Sequence, residues 1–478
     1  MGLDARHWRE ECGVVGLAGV RGAGELAALA LHSLQHRGQE SAGVSTADGH
    51  VVRTSKAMGL VADVFTEPVV KGLTGDFSLG HVRYSTTGSS QIENAQPMQV
   101  TCHRGTLSVA HNGNLVNAHT LRRRMELEGS IFSTTSDTEV FLHLIARSRA
   151  ETFEDAVAEA LEQVRGAYSL LVLTRDRLIA ARDPKGFRPL CLGRFQDSYV
   201  VASESCAFDI IDGTYLRDVE PGEMVVLDGN GLRSHRFAEP ERCTQCVFEH
   251  IYFSRPDSRV FGRSVDEVRR RCGVILGEES PVRADLVCAV PDSSNTAALG
   301  YAHATGLPFE LALIRNHYVG RTFISPAQKV RDMSVRIKFN PVRRLIEGKR
   351  VVLVDDSVVR GTTMRKLVKI VRAAGAAEVH LRIASPPVTH PCFYGIDTPV
   401  RQELIASSHT VEEIATYLRV DSLAYLSREG LMRAAEDEQD HCDACFTGAY
   451  PVAFEAEMSK QVMDPSQEAP ETGAPGAR

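Results

Sequence analysis

The segment VVLVDDSVVRGTT at 351–363 carries the most specific pattern in the chain. Its apolar residues predict a buried strand, Asp355 and Asp356 follow at the carboxyl end, and the hydroxyl and glycine residues beyond them predict the start of a helix. Open α/β sheets bind their ligands at that edge. The carboxylates suit ribose hydroxyls and a hydrated Mg²⁺, and the N–H groups of 358–363 suit a phosphate. The alternative, an acidic turn with an N-cap, leaves the glycine and both threonines unexplained.

Cys12 lies in EECGVVGLAG, where a thiol between an acidic pair and a glycine precedes an apolar strand. Free cysteine is commonly a small buried hydrophobe, so this segment alone favours a structural role. Four further segments concentrate Arg, Asn, Gly or Asp beside small residues and together favour catalysis: LQHRGQESAG (34–43), GHVRYSTTG (80–88), AHNGNL (110–115) and TSDTEVF (135–141). The alternative treats Arg83 and Asp137 as a surface ion pair and HNGN as a hairpin turn, which Asn-Gly favours.

Eleven cysteines without an export signal argue against a disulfide framework and leave metal binding, catalysis or burial. The pairs CTQC (243–246) and CDAC (442–445) have the spacing of a tetrahedral Cys₄ zinc site, although their wide separation weakens that prediction. The remaining cysteines apart from Cys12 and Cys392 lie in apolar runs and are predicted to be buried and inert: Cys102, Cys191, Cys206, Cys272 and Cys288.

Length and charge place the chain in a broad class. A chain of 478 residues predicts two domains of about 200 residues each. A net charge of -7 and a charged fraction of 24% give no sign of a nucleic-acid or membrane partner. The first residues, MGLDARHWREE, lack the apolar stretch of a secretory signal, and no later stretch approaches the ~20 apolar residues of a membrane span. We therefore expect a cytoplasmic protein.

The order of predicted elements differs between the two halves of the chain. Residues 12–235 mix strand-like runs such as TLSVAHNG with helical patterns such as LAALALHSLQHRG (26–38), which predicts a layered α and β domain. From 283 onward, strand, loop and helix alternate, which predicts a parallel sheet with helices on both faces. The periodicity breaks at a junction around 236–262, and the end of the chain is rich in Pro, Glu, Ala and Gly. The predicted units are a first domain at 12–235, a second at 236–450 and a disordered tail at 451–478.

ECGVVG and the four segments around it resemble the glutamine amidotransferases of the N-terminal-nucleophile class, over nearly all of 12–235. This resemblance implies an αββα sandwich and cleavage between Glu11 and Cys12, which makes residues 1–11 a propeptide. The freed α-amino group would then serve as the base for the Cys12 thiol. That chemistry is sensible, since a thiol of pKa ~8.5 needs activation and an α-amine of pKa ~8 titrates close to neutral pH.

The same resemblance implies roles for the residues around Cys12. Its thiolate would attack the side-chain amide of glutamine and form a thioester as ammonia leaves. The Asn112 side chain and the Gly113 N–H would bind the oxyanion. Arg83 would hold the glutamine α-carboxylate and Asp137 its α-ammonium, and this charge pairing selects an amino acid over a simple amide.

The segment 351–363 resembles the phosphoribosyltransferase signature, and 245–430 resembles the phosphoribosyl-pyrophosphate-using half of the amidophosphoribosyltransferases. The resemblance implies a type I phosphoribosyltransferase fold with a doubly wound parallel sheet. VPDSSNTAA (290–298) would be the pyrophosphate loop, with Asp292 and Ser293 on the leaving group. Ser293, Asp355 and Asp356 would share Mg²⁺. The motif residues implied to bind phosphoribosyl pyrophosphate are Asp355, Asp356, Ser357, Val358, Val359, Arg360, Gly361, Thr362 and Thr363.

A flexible lid is implied for NHYVGRTFI and the SPAQKVRD that follows it. A lid makes physical sense, because ammonia must compete with water for an oxocarbenium-like C1. The cations proposed for pyrophosphate are Arg321, Lys329, Arg331 and Lys338.

One branch of the amidophosphoribosyltransferases carries a [4Fe–4S] cluster on cysteines in three segments that match CVFEHIYFSRPDS, PPVTHPCFYG and CDAC here. The implied ligands are Cys246, Cys392, Cys442 and Cys445. Cys243 is an additional thiol nearby, so the first ligand is either Cys243 or Cys246. Transfer needs no redox chemistry, and the cluster would therefore have a structural or oxygen-sensing role.

The resemblance implies that glutamine, phosphoribosyl pyrophosphate and water give phosphoribosylamine, glutamate and pyrophosphate, the first committed step of de novo purine biosynthesis. It also implies feedback by purine nucleotides and a homotetramer. A hexosamine-phosphate synthase would share the first half of the chain but would lack VVLVDDSVVRGTT. A regulator that binds phosphoribosyl pyrophosphate and contacts DNA would need a basic N-terminal module, which this sequence lacks.

Processing before Cys12 has a spectroscopic consequence. The chain has one tryptophan, Trp8, and it lies in the predicted propeptide. The mature enzyme is therefore expected to show no tryptophan fluorescence, which an emission spectrum of the purified protein measures. A tryptophan signal retained in fully active protein would contradict cleavage at this position.

Overall fold

A computed structural model describes residues 12–84, 90–316, 338–436 and 441–453. The first half of the chain contains a seven-stranded antiparallel sheet in the order β11-β9-β10-β1-β4-β2-β3 and a six-stranded antiparallel sheet in the order β13-β12-β8-β7-β6-β5. The strands of the first sheet are β1 (Gly13–Ala18), β2 (Ser41–Ala47), β3 (Val52–Met58), β4 (Phe77–Arg83), β9 (Cys191–Phe195), β10 (Ser198–Ala202) and β11 (Thr214–Asp218). Those of the second are β5 (Met98–Cys102), β6 (Gly105–Leu115), β7 (Gly166–Leu173), β8 (Arg177–Arg182), β12 (Glu223–Asp228) and β13 (Gly231–Arg236).

The two sheets stack face to face and carry helices on their outer faces. Val14 and Val201 of the first sheet pack against Ala110 and Leu171 of the second. Val15, whose side chain points to the opposite face from Val14, packs in the helix-covered cluster of the first sheet, as strand alternation requires. The helices of this half are α1 (Ala23–Ser33), α2 (Val61–Val64), α3 (Glu67–Gly72), α4 (Ala118–Leu127), α5 (Thr138–Arg147), α6 (Phe153–Gln163) and α7 (Cys206–Asp209). The αββα sandwich is confirmed.

The second half is built on a four-stranded parallel sheet in the order β17-β20-β21-β22. Its strands are β17 (Leu286–Ala289), β20 (Arg350–Asp355), β21 (Glu378–Ile383) and β22 (Ser422–Tyr425). Val352 and Val354 pack in one hydrophobic cluster, while Val351 and Leu353 pack in another on the opposite face. The helices are α8 (Val265–Glu279), α9 (Asn295–Thr305), α10 (Arg343–Ile346), α11 (Thr362–Ala373), α12 (Val411–Leu418), α13 (Arg428–Ala434) and α14 (Ala444–Thr447). A parallel sheet covered on both faces is confirmed.

Short elements connect these layers. β14 (Gln245–Cys246) pairs in parallel with β23 (His441–Cys442), β15 (Arg259–Val260) pairs with β16 (Arg263–Ser264), and β18 (Leu313–Arg315) pairs with β19 (Phe339–Pro341). The remaining helical turns are a π-helix at Glu249–Phe253 and 3₁₀ turns at Ile92–Asn94, Arg401–Glu403 and Ile405–Ser407. Within the described ranges, no helix has the length and apolar character needed to cross a membrane.

The first helix of the chain is shorter than the sequence pattern predicts. The helical pattern of 26–38 stops at Ser33, and the chain turns so that Gly38 reaches the end of β4. A Cβ on Gly38 would lie 2.6 Å from the backbone nitrogen of Arg83, so this approach needs a glycine. Of the predicted tail at 451–478, residues 451–453 are described, and Val452 exchanges hydrogen bonds of 2.7 and 3.0 Å with the Tyr394 hydroxyl; residues 454–478 lie outside the described part of the chain.

Candidate active sites

Cys12 directly precedes β1, which pairs with β4 so that Gly13 lies opposite Val82. The thiol is buried and donates a hydrogen bond of 3.4 Å to the Tyr84 carbonyl oxygen. Burial raises the pKa of Cys12 to about 11; the charge of Arg83 lowers this pKa, and that of Asp137 raises it. The first strand therefore brings Cys12 into electrostatic contact with both residues predicted to bind glutamine.

Asn112 and Gly113 lie inside β6, opposite Ser169 and Tyr168 of β7. The hairpin-turn interpretation of HNGN is therefore wrong. Gly113 has a φ of 150°, and a Cβ there would lie 2.0 Å from a carbonyl oxygen of the neighbouring strand, so the position requires glycine.

The Asn112 side chain reaches across to the sheet that carries Cys12. Its Nδ2 lies 3.4 Å from the Ser203 hydroxyl, which accepts a 3.0 Å hydrogen bond from the Val14 N–H. Its Oδ1 is buried and has no hydrogen-bond partner within the described part of the chain. The amide is thus held beside β1, and its Oδ1 remains available to accept a hydrogen bond.

Arg83 and Asp137 are both buried, so the surface ion-pair interpretation is also wrong. Arg83 ends β4 and lies 3.7 Å from the Glu40 carboxylate. Asp137 precedes α5 and accepts a 2.9 Å hydrogen bond from the Leu115 N–H, which ties it to the strand of Asn112. One buried cation and one buried anion thus flank the thiol, a charge arrangement that suits a zwitterionic amino acid.

The second site lies at the carboxyl end of β20. Asp355 and Asp356 are buried, and two serines of the loop between β17 and α9 donate to them: Ser294 to Asp355 at 2.8 Å and Ser293 to Asp356 at 2.5 Å. Burial, followed by the neighbouring charge of Asp356, raises the pKa of Asp355 well above its ordinary value. The pair is therefore poised to bind a cation or hydroxyl donors. Sequence reasoning missed Ser294, although a second hydroxyl beside Ser293 was a visible signal.

An open cleft lies beside Asp355. Gly361, with a φ of 71°, precedes α11 and directs the loop around the cleft. The lining residues are Val290, Phe339, Asp355, Ser357, Val358, Val359, Arg360, Gly361, Thr362, Thr363, Met364, Leu367 and Pro399. All the residues that the sequence motif places on the phosphate loop thus line one cleft.

The other described residues predicted to bind pyrophosphate are not among those that line the cleft. Asp292 is exposed and pairs with Arg315 at 2.8 Å. Lys338 directly precedes Phe339 of the cleft wall, and its carbonyl oxygen accepts a 2.8 Å hydrogen bond from the Asn316 N–H. Arg321, Lys329 and Arg331 lie outside the described residues.

The cysteines assigned to a cluster are neighbours. Cys246 and Cys442 lie opposite each other in the β14–β23 pair. Burial raises the pKa of Cys445 well above its ordinary value, and Cys246, Cys442 and Cys392 raise it further. In the part of the chain that is described, no three His, Cys, Asp or Glu side chains form a group that could hold a metal ion. Of the cysteines predicted to be inert, Cys102 is only half-buried, which corrects that prediction.

Comparison with known proteins decides the family. A glutamine amidotransferase domain matches residues 81–209, and a phosphoribosyl transferase domain matches residues 303–384. Amidophosphoribosyltransferase of Bacillus subtilis is 51% identical over 454 residues, which cover 94% of this chain and 95% of the relative. That of Archaeoglobus fulgidus is 51% identical over 455 residues, which cover 93% and 99%. The chain belongs to the amidophosphoribosyltransferase family.

Solved structures agree with this assignment. Glutamine phosphoribosylpyrophosphate amidotransferase from B. subtilis, complexed with ADP and GMP, has a TM-score of 0.90 at 49% identity and matches 94% of this chain and 99% of its own. A structure described as the allosteric regulatory enzyme of purine biosynthesis has a TM-score of 0.91 at 49% identity and matches 97% and 100%. Like other amidophosphoribosyltransferases, the chain is a glutamine-dependent glycosyltransferase of purine biosynthesis.

In this amidophosphoribosyltransferase the two halves are joined by a buried group of charges, which we call the interdomain ion network: Arg37, Arg188, Glu204 and Glu249. The four side chains have no exposed surface. Arg37 pairs with Glu204 at 2.5 Å and with Glu249 at 2.7 Å, and Arg188 pairs with Glu249 at 3.1 Å. Sequence reasoning missed this network. One signal was the lone acid of the apolar run CVFEHIYF, because a buried carboxylate needs a partner.

The network predicts a pH dependence of stability. Burial would raise the pKa of Glu204, but the charges of His36 and Arg37 outweigh that effect and hold the pKa at about 2, below the ordinary value of 4.5. A carboxylate with a lowered pKa stabilises the fold above its unfolded pKa and loses that contribution as pH falls towards the folded one. We expect Glu204→Gln to be less stable at neutral pH and to show a weaker pH dependence between about 4.5 and 2.

Urea unfolding at a series of pH values measures this difference. Glu67→Gln is the control, because Glu67 forms an exposed pair with Lys71, and such pairs contribute little. If the free energy of unfolding of Glu204→Gln changes with pH as steeply as that of the wild type, the Glu204 carboxylate does not cause this part of the acid sensitivity.

Proposed function

We propose that the chain hydrolyses glutamine at Cys12 and transfers the ammonia to C1 of phosphoribosyl pyrophosphate, which gives 5-phosphoribosylamine, glutamate and pyrophosphate. The observation that carries this proposal is the burial of Cys12 beside Arg83 and Asp137, in a different domain from the cleft at Asp355. Each domain supplies one half of the reaction.

At the first site, the raised pKa supports activation by processing. A thiol with a pKa of about 11 is protonated at neutral pH and needs a base. Cleavage between Glu11 and Cys12 supplies one, because the freed α-amino group titrates near neutral pH. The thiolate then attacks the glutamine amide, and the Asn112 amide and the Gly113 N–H bind the oxyanion. Loss of one such donor costs on the order of 3 kcal/mol.

Substrate selection at this site follows from the flanking charges. Arg83 binds the glutamine α-carboxylate and Asp137 binds the α-ammonium. Their burial strengthens both interactions, since buried charges are screened less by solvent than exposed ones.

At the second site, Asp355 and Asp356 bind the ribose hydroxyls, and the N–H groups of 358–363 bind the phosphate at the start of α11. Asp355, Asp356 and Ser293 are the residues that would hold Mg²⁺, and their oxygen donors are those this cation prefers. Bound Mg²⁺ would neutralise charge on the pyrophosphate leaving group. The burial of two adjacent carboxylates supports this role, because a bound cation offsets their mutual repulsion. Lys338, Arg321 and Lys329 are the proposed cations for pyrophosphate, with Asp292 also on the leaving group.

We assign a [4Fe–4S] cluster to Cys246, Cys392, Cys442 and Cys445. The support is that Cys246, Cys442 and Cys392 all raise the pKa of Cys445, and that Cys392 is a residue which the zinc alternative with its two C-x-x-C pairs does not use. Four thiolates of such a cluster bind four different irons, so they need not converge on one ion. Its role is structural: the Cys246 N–H donates to the Phe187 carbonyl at 3.1 Å, so the cluster would tie its segments to the first domain.

Regulation and assembly are proposed from the family resemblance. One structure similar to this chain is complexed with ADP and GMP, which supports purine nucleotides as inhibitors here. We also propose a homotetramer, which the family resemblance implies, and a cytoplasmic location, which the composition of the chain favours.

Two variants test whether the two half-reactions take place at separate sites. Cys12→Ser should lose glutamine-dependent pyrophosphate release but keep the release driven by added ammonia, because only the first site is changed. Asp355→Asn should lose both, because ammonia from either source needs the second site. A coupled pyrophosphate assay measures both activities. Glutamine-dependent release by Cys12→Ser at the wild-type rate would overturn the proposed nucleophile.

The cluster has its own test. Protein purified without oxygen should contain iron and acid-labile sulfide, and Cys392→Ser should contain less of both. Cys102→Ser is the control, because this half-buried thiol lies in the first domain. Zinc without sulfide in the wild-type protein would contradict the assignment.

A further inference from the structure

The interdomain ion network touches the main chain of Cys12. Arg37 Nε donates a 3.1 Å hydrogen bond to the Cys12 carbonyl oxygen, and the same guanidinium binds Glu204 and Glu249 through its other nitrogens. The side chain is fully buried, so solvent cannot replace any of these partners. One rigid, planar group therefore links the residue before β1 to two carboxylates.

The two carboxylates come from different domains, and each accepts hydrogen bonds from the other domain. Glu204 follows β10 of the first domain and accepts from Arg255 N–H at 2.9 Å and from the Ser258 hydroxyl at 2.6 Å, both in the second domain. Glu249 lies in the second domain and accepts from Arg37 of the first. Each domain thus places a carboxylate among donors of the other, and the orientation of Arg37 depends on domain docking.

We propose that Arg37 and Glu249 are positioning residues for glutamine hydrolysis, which makes the direction of Cys12 depend on the docked second domain. The inference rests on the proposed role of Cys12 as the nucleophile. After processing, Cys12 is the first residue and is held by a single peptide bond. The hydrogen bond from Arg37 fixes the orientation of that peptide unit and therefore the position of the Cys12 Cα, from which both the amine and the thiol project.

Glu249→Gln tests this proposal with little change in volume. Both Glu249 oxygens accept from Arg37, at 2.7 and 3.0 Å, and they also accept from Arg188 and Ser254. In Glu249→Gln, one of the two carboxylate oxygens is replaced by an NH₂ group, which is a donor. This group would face the N–H donors of Arg37, so the Arg37 guanidinium must reorient. We expect kcat with glutamine to fall by about tenfold or more, while the KM for glutamine and the rate with added ammonia stay within about twofold.

Glu223→Gln is a matched control. Glu223 also accepts two guanidinium hydrogen bonds, both from Arg217 at 2.7 Å, and one hydroxyl hydrogen bond, from Ser234 at 2.6 Å. It lies in β12, and both Arg217 and Ser234 belong to the first domain. We expect this variant to lose stability without a selective loss of glutamine-dependent activity, and thermal unfolding of both variants measures their stability.

The outcomes separate positioning from structural support. A selective fall in glutamine-dependent kcat in Glu249→Gln, absent from Glu223→Gln, supports the proposal. Equal loss of the glutamine-dependent and ammonia-dependent rates, or loss of neither, overturns it. Cys12→Ser is measured beside them to separate failure of this proposal from failure of the proposed function. Glutamine-dependent activity in Cys12→Ser would show that Cys12 is not the nucleophile.

Discussion

The buried charges of the interdomain ion network constrain how the two halves of this protein fit together. Two guanidinium groups from the first domain, Arg37 and Arg188, surround the Glu249 carboxylate from the second. A buried charge without its partner costs several kcal/mol, so the network is stable only when every member is present. The docked arrangement of the domains is therefore specified by charge as well as by apolar packing.

Close packing of the main chains follows from that docking. Arg188 also donates a 3.0 Å hydrogen bond to the Tyr394 carbonyl, and Asn114 of β6 donates one of 2.9 Å to the Phe393 carbonyl. A Cβ on Gly395 would lie 3.0 Å from the Cα of Gly113. The second domain thus rests directly against the strand that carries the proposed oxyanion donors, and two glycines permit the approach.

Both candidate sites use the ends of strands. Cys12 precedes the central strand of an antiparallel sheet, and Asp355 ends a central strand of a parallel one. At such ends the main chain leaves the hydrogen-bonded ladder, so side chains and N–H groups become available for ligands while the sheet keeps them in place. The same principle serves a nucleophile in one domain and a phosphate loop in the other.

Local sequence patterns were enough to predict β20, the phosphate loop after it and the segments around Cys12. Strand alternation, helix starts and glycine turns depend on residues that are near neighbours in the sequence. The end of α1 at Ser33 and the place of Asn112 and Gly113 inside β6 required the tertiary structure. So did the pairing of Arg37 with Glu249, which lie 212 residues apart. Burial and partner choice at these positions are set by the packing of distant segments, which short-range patterns do not encode.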